Sequence, residues 1–284
     1  MDRKPLWERG AQMPHGRAFE AHHRRDTTAQ PRVIHSHEYY EIYFFLQGRI
    51  RIVIEDVDIC PRRGDVLVFP PHCMHRNIHL SAEEPYERFY LYATREFVQT
   101  VGDGGYQLGD ALDGLLAERG YLYHLNEAAL DELLRMTDEA ICASSGQTPA
   151  EALMNRYRMS MLLLRTVELL GEGTSAGSLN GSMNPLLRYL NDHACEDVSL
   201  DRLADTFFIS KFALLREFKE YTGLSIHQYV LARRILRAQE LIAQGVKPNQ
   251  VSEMCGFSDY SSFYRAFRQR TGVSPNQYGR EDRR

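Results

Sequence analysis

Phe263–Tyr278 reads FYRAFRQRTGVSPNQY, and Leu214–Tyr229 reads LLREFKEYTGLSIHQY. Laid over each other at an offset of 49 residues, they share seven of sixteen positions: Arg216/Arg265, Phe218/Phe267, Thr222/Thr271, Gly223/Gly272, Ser225/Ser274, Gln228/Gln277 and Tyr229/Tyr278. Self-similarity of this kind marks two copies of one supersecondary unit. Each copy interleaves an apolar helical seam with Arg and Lys and stops at a Gly. Such a helix buries one face in a core and offers the other to phosphates and base edges.

Between the copies, Ser225–Gly245 (SIHQYVLARRILRAQELIAQG) reads as one helix of about 20 residues, hence about 30 Å long. Successive major grooves on one face of B-DNA lie roughly 34 Å apart, so one chain could serve both. In the first unit, Ser199 is expected to cap a helix carrying Leu200, Leu203 and Ala204, followed by a recognition helix from Ser210 to Tyr221. Leu214 and Phe218 face inward, leaving Lys211, Phe212, Leu215, Arg216 and Lys219 toward DNA. Leu215 either meets a thymine methyl or packs on the surface. In the second unit, Pro248 suits a first helical turn, Gly256 makes the turn, and Ser258 is the expected N-cap. Phe263 and Phe267 point inward; Tyr260, Ser261, Tyr264, Arg265 and Arg268 point toward DNA. Arg233, Arg234 and Arg237 on the long helix are expected to meet phosphates, the domain's own acidic groups, or solvent.

From Asn184 to Tyr278 the chain resembles the DNA-binding domain of the AraC/XylS family of bacterial transcription regulators. The most specific stretch is GFSDYSSFYRAFRQRTGVSPNQY, Gly256–Tyr278, which follows the family signature almost position by position. The resemblance implies two helix-turn-helix units around one connecting helix, promoter DNA as partner, and RNA polymerase as a further partner. The chain departs from the pattern at Phe208, where a turn Gly is usual, and at Ala213 and Leu215, where polar residues are frequent. Base reading by the first unit then rests chiefly on Arg216.

A length of 284 residues suggests two domains, each able to bury a core. With 43% hydrophobic and 25% charged residues the chain is of ordinary globular composition. Neither a signal-peptide-like run nor an apolar run long enough to span a bilayer is present, and no membrane partner is expected. Cys60, Cys73, Cys142, Cys195 and Cys255 are scattered, odd in number and free of any CxxC pair, which suits buried thiols in a reducing cytoplasm better than disulfides or a zinc knuckle. The net charge of −4 is divided unevenly: from Asn184 on there are 15 Lys/Arg against 12 Asp/Glu, and before it 19 against 26. A basic back half and an acidic front half suit a protein that meets DNA through its C-terminal half alone.

The first thirty residues read as a mobile arm, with the run His22, His23, Arg24, Arg25 solvated. From Arg32 to Thr94, short β-type runs (EIYFFLQG, RIRIVIE, DVLVFP, ERFYLYAT) follow closely, as in an antiparallel barrel or sandwich. Helices are expected near Glu127–Ala143 and Ala150–Leu170. The second carries Leu153, Tyr157, Met161, Leu164 and Val167 along one side with further Met and Leu beyond, an apolar face for packing on the barrel, for a homodimer, or for both. Gly171–Ser182 (GEGTSAGSLNGS) reads as a flexible linker. The expected fold is α+β and multidomain. It comprises an arm and antiparallel barrel over residues 1–110, a helical dimerisation region over 111–172, a linker over 173–183, and an all-α domain with two helix-turn-helix units over 184–284.

Within the β-rich part, His35, His37 and Glu41, then Gly48, resemble the first motif of the cupin barrels, HxHxxxE followed by Gly. Gly64–His75 (GDVLVFPPHCMH) resembles the second, with His72 in place of Gly and His79 in place of Asn. Residues 35, 37 and 41 share parity, so on one strand they would share a face. With His75 they make three imidazoles and a carboxylate, a set suited to Zn, Ni, Mn or Fe. Alternatively these side chains, with Tyr43, hydrogen bond a small effector such as a carbohydrate, or one another. DNA binding itself calls for no cofactor. The expected function is a cytoplasmic, effector-controlled, non-catalytic regulator of transcription; the alternative is a metal-dependent cupin isomerase or oxygenase tethered to DNA.

Overall fold

A computed structural model describes residues 13, 17–27, 33–81, 84–143, 148–172 and 184–281. The expected linker, from residue 173 on, and most of the expected arm lie outside the described residues. The described residues fall into two compact units, one within residues 10–182 and one within residues 183–284.

The first unit opens with β1 (Phe19–Asp26), β2 (Tyr39–Gln47), β3 (Ile50–Ile54), β4 (Val57–Ile59), β5 (Asp65–Phe69), β6 (His75–His79) and β7 (Tyr86–Thr94). Next come α1 (Arg95–Gln99), β8 (Gly102–Asp103), β9 (Tyr106–Gln107), α2 (Leu108–Arg119), β10 (Leu122–His124), α3 (Glu127–Ala143) and α4 (Pro149–Glu172). Two antiparallel sheets, of order β1-β7-β2-β5-β10 and β4-β3-β6, form the expected β domain. Strand alternation sorts their side chains. Tyr39, Tyr43 and Phe45 of β2 and Tyr86, Tyr90 and Tyr92 of β7 turn inward with Ile50, Ile52, Ile54, Leu67 and Phe69. Tyr40, Ile42, Phe44, Phe89 and Leu91 turn outward, where Leu130 and Leu133 of α3 and Leu162, Leu163 and Leu170 of α4 cover them. Both faces of β2 and β7 are therefore apolar or aromatic, which explains their near-continuous hydrophobic runs.

The structure corrects one expectation and refines a second. Phe19–Asp26 is no arm: it is an edge strand paired along its length with β7, from Phe19↔Ala93 to Asp26↔Tyr86. Its mixed charges obscure it in the sequence because Glu20, His22 and Asp26 share a face with the inward tyrosines of β7, while His23 and Arg25 point away. The apolar side of α4 is also divided. Val167 is buried and Leu164 half-buried, whereas Leu153, Tyr157 and Met161 are exposed, Met161 by 63%.

The second unit contains α5 (Pro185–His193), α6 (Leu200–Phe207), α7 (Lys211–Thr222), α8 (Ile226–Ala243), α9 (Pro248–Met254), α10 (Tyr260–Thr271) and α11 (Pro275–Glu281). α8 is the expected connecting helix: Ser225 and Gln228 close a capping box at its start, and its buried residues run from Ile226 to Ile242. Ser199 and Ser210 cap α6 and α7. α10 is capped by Asp259, whose side chain accepts from the Ser262 N–H; Ser258 only donates its hydroxyl to Asp259. Two adjacent cap-forming residues compete there, and the one in register with the N3 amide wins. Both units turn through a left-handed residue, Phe208 (φ 54°) in the first and Gly256 (φ 74°) in the second. Phe208 is 96% exposed, so nothing in its packing compensates for a conformation Gly adopts more readily.

Candidate functional site

In the barrel, the HxHxxxE segment is not one continuous strand. His35 makes a lone bridge to His75, exchanging both backbone hydrogen bonds at 2.9 and 2.8 Å, and β2 begins only at Tyr39. The His72 N–H donates to the His37 carbonyl at 2.7 Å, and His72 takes φ 69°, the left-handed conformation that the usual Gly would supply. Shared parity on one strand is thus not what gathers these residues; a bridge and a turn do it.

His37, Glu41 and His75 come together, all buried, with their ligand atoms within 4.8 Å of one another. His37 Nε2 lies 3.0 Å and His75 Nε2 3.4 Å from Glu41 Oε2. Two ligands on one ion at about 2.1 Å sit roughly 3.0–3.4 Å apart, so the spacing fits a shared metal. His35 stands outside this trio but against it, its ring centroid 4.4 Å from that of His75.

The outer nitrogens are already committed. Nδ1 of His35 donates to Val33 O, Nδ1 of His37 to Tyr39 O, and Nδ1 of His75 to Cys73 O. A carbonyl oxygen only accepts, so a ring with its proton on Nδ1 satisfies that carbonyl and presents the Nε2 lone pair, while for His37 the Glu41 carboxylate at 3.0 Å competes for the same proton. Burial lowers the pKa of His37 despite its contact with Glu41, and lowers that of His35 further with help from His75 and His37. Burial also opposes a charge on Glu41, but the hydrogen bonds and charge of His37 and His75 outweigh it and hold the carboxyl well below the usual range. The two tendencies conflict. Glu41 stays an anion only beside positive charge, while burial strips the proton from His37. A divalent cation among the three Nε2 and carboxylate donors removes the conflict, so the donor set fits such an ion.

Beyond this trio the inward face is aromatic and polar. Tyr39 stacks on His37 at 4.0 Å, and Tyr92 and Tyr90 continue the cluster to His22. Tyr43, fully buried, shares a hydrogen bond with Tyr86, which also accepts from Asn77 Nδ2 at 3.2 Å. Burial first, then Tyr86, pushes the Tyr43 hydroxyl well above its ordinary pKa. Asn77 Oδ1 is buried and has no hydrogen-bond partner among the described residues. Arg88 lies 4.2 Å over the Tyr86 ring and pairs with Asp26 at 2.6 Å. Asn77, Tyr86, Arg88, Tyr90 and Tyr92 were not singled out from sequence. ERFYLYAT was legible as a strand, but not which of its two faces turns inward.

In the second unit, α7 exposes Lys211, Phe212, Leu215, Arg216 and Lys219, with Leu214 and Phe218 buried beneath. Lys211 pairs with Asp201, and Arg216 lies 3.5 Å from Glu217. On α10, Ser261, Arg265 and Arg268 are exposed and Phe263 and Phe267 buried. Tyr264 is half-buried, and so is Tyr260, whose ring packs 5.7 Å from Phe263 and shares in the core. Among the long-helix arginines, Arg237 takes one of its expected roles and Arg234 does not. Arg237 pairs with Glu240 at 2.8 Å, but Arg234 turns inward and donates to the carbonyls of Ala194, Glu196 and Gly256, each at 2.7 Å. Its guanidinium closes the domain on itself.

Residues 203–281 match the family model described as a helix-turn-helix domain, and residues 26–88 that of a cupin domain. The chain is 28% identical to the probable transcriptional regulator LumQ of Photobacterium leiognathi, over 90% of its own length and 95% of that protein's. It is 26% identical to the HTH-type transcriptional activator RhaS of Citrobacter koseri, over 85% of both. Over 93 residues, 32% of this chain and 24% of the other, it is 31% identical to the xylose operon regulatory protein of Escherichia coli K12.

Proposed function

We propose that the chain is a DNA-binding transcriptional regulator of the AraC family with a cupin-type N-terminal domain, and that its barrel senses a small polyhydroxylated effector beside a divalent transition metal. The observation that carries this is the convergence of His37, Glu41 and His75 on one point, with Nδ1 of each histidine against a backbone carbonyl and Nε2 turned to the shared point. His37, Glu41 and His75 would hold the ion, His35 would stand next to it, and when bound it would supply a Lewis-acidic anchor for an effector oxygen. The protein's own groups do the rest. Tyr39, Tyr90 and Tyr92 offer ring faces for the C–H surface of a sugar, Tyr43 and Tyr86 offer hydroxyls, and Asn77 Oδ1 accepts from an effector hydroxyl. An effector shifts DNA binding only so far as it prefers one arrangement of the chain over another.

On DNA, Arg216 and Arg265 occupy equivalent outward positions of the two recognition helices and are assigned to base edges, with Lys211, Lys219 and Arg268 on phosphates. Phe212, Leu215, Tyr260, Ser261 and Tyr264 complete the surface. The exposed Leu153, Met154, Tyr157 and Met161 of α4 are assigned to a homodimer contact. The relatives are named as regulators rather than enzymes, and the alternative of a tethered enzyme is set aside on that ground. Among the described residues no helix is long and apolar enough to cross a membrane, and the cytoplasm, where the chromosome lies, is the proposed compartment.

The test is operator binding by the full chain, on a sequence selected from a random pool, titrated with a panel of sugars and polyols. At least one should change the DNA affinity about five-fold or more. Asn77→Ala and Glu41→Gln should abolish the response and leave the basal affinity intact. Ligand binding and response unaltered in both variants would refute the barrel as sensor.

A further inference from the structure

Two cysteines of the DNA-binding unit, Cys195 and Cys255, lie together although 60 positions apart in sequence, and their thiols share a hydrogen bond. Cys195 lies in the turn after α5 and is half-buried; Cys255 ends α9 and is fully buried in the core against which Cys195 packs. The backbones carrying them are in direct contact. A Cβ on Gly256 would stand 2.2 Å from the Cys195 carbonyl oxygen, so only Gly is accommodated there. The Arg234 clamp fastens the same two segments, gripping the carbonyls on either side of Cys195 and the one that follows Cys255.

The surroundings distinguish the two sulfurs. The hydrogen bond from Cys255 and, after it, the guanidinium groups of Arg234, Arg237 and Arg233 bring the Cys195 thiol down to about 7, against the opposing effect of burial. Cys255 is pushed far up by the same hydrogen bond, by burial and by the charge on Cys195. Three nearby guanidinium groups disfavour a metal cation and favour an anionic reagent.

We propose that Cys195 and Cys255 are a reactive dithiol that takes anionic low-molecular-weight disulfides, with Cys195 attacking and Cys255 resolving. The Cys195 thiolate forms a bond to one sulfur of the reagent and expels the other half as a thiolate, leaving a mixed disulfide. That step removes the charge which kept Cys255 protonated. Cys255 then gives its proton to solvent and attacks the Cys195 sulfur, expelling the second half. Two protein thiols are oxidised, one reagent disulfide is reduced to two thiols, and a Cys195–Cys255 bond ties the end of α5 to the turn of the second helix-turn-helix unit.

The experiment uses the reduced full chain with oxidised glutathione near neutral pH, read by peptide mass spectrometry after alkylation. The unmodified chain should yield the Cys195–Cys255 cross-link. Cys255→Ser should accumulate glutathione on Cys195, and Cys195→Ser should give neither cross-link nor adduct at Cys255. Glutathione on exposed Cys60 with both Cys195 and Cys255 still alkylatable, or first addition at Cys255, overturns the proposal. Should either variant fail to fold, the unmodified chain decides. Alkylation of Cys195 by iodoacetamide should rise with a midpoint near pH 7, and a midpoint at the ordinary thiol value of about 8.5 refutes its role.

Discussion

His37 sits between two acceptors: its Nδ1 lies 2.8 Å from the Tyr39 carbonyl and its Nε2 3.0 Å from Glu41 Oε2. A neutral ring has one proton for the two, and burial resists a second. The folded values of His35 and His37 therefore lie below the ordinary 6.5. The unfolded chain takes up protons that the folded barrel refuses, so stability is lost as pH falls below about 6.5 and onward to the folded values. Glu41, also depressed, adds a loss below its ordinary 4.5. Each histidine contributes up to about 1.4 kcal/mol per pH unit across its window. Thermal melts of the metal-free chain should show the barrel transition falling steadily from about pH 7 to about pH 5. A transition flat over that range would contradict neutral, proton-refusing imidazoles at His35 and His37.

Arg265→Ala should cost about 1–3 kcal/mol of specific DNA binding and relax preference at one base pair. Arg268→Ala should weaken binding to every sequence and reduce the salt slope by about one unit. Fluorescence anisotropy on a selected site and on random duplex, at several salt concentrations, separates the two. Equal loss on both duplexes for Arg265→Ala would remove it from base reading.

Arg234 joins three carbonyls from two segments, so its loss leaves buried acceptors open and should be felt in stability before DNA contact. Arg234→Ala should destabilise the C-terminal unit by about 2–4 kcal/mol, measured by urea denaturation. Arg234→Lys should recover little of this, because an ammonium lacks the planar fork that reaches all three oxygens. A variant with normal stability and weakened DNA binding would make Arg234 a phosphate contact instead.

Leu153, Tyr157 and Met161 lie along the solvent side of α4, and Met161 borders a groove of about 1040 Å³ that Ala111, Leu115, Met136 and Leu164 also line. Met161→Asp should convert a dimer to a monomer in sedimentation at micromolar concentration and leave the barrel folded. An unmodified chain that sediments as a monomer would remove this face from assembly. Leu164, half-buried in the groove wall, is the poorer place for the charge, because its loss also disturbs the fold.

The two helix-turn-helix units could be read from the sequence because both copies keep the residues that set a helix and its stop: Phe218/Phe267 in the core, and Gly223/Gly272 in the left-handed C-cap. Cap register was harder to read. Ser258 and Asp259 are adjacent and both able, and only the backbone decides between them. β1 was missed because FEAHHRRD shows no alternation of apolar and polar residues; its stability comes from a partner 60 to 74 positions away. The metal-type residues were visible as a motif, but the reason they converge was not. The His35–His75 bridge and the left-handed His72 lie outside any strand periodicity. Arg234 looked like its neighbours Arg233 and Arg237, and nothing local distinguishes a guanidinium aimed at distant carbonyls.

The most direct test of the barrel's proposed role is elemental analysis of the full chain, purified without affinity tag or chelator. Close to one equivalent of Zn, Ni, Mn or Fe per chain is expected. His37→Ala should abolish it without unfolding the C-terminal unit, and removal of the ion should lower the barrel melting temperature by mass action. Metal well below stoichiometry, unrestored by adding any of the four ions, would contradict the metal-anchored sensor and leave His37, Glu41 and His75 as a hydrogen-bonding cluster.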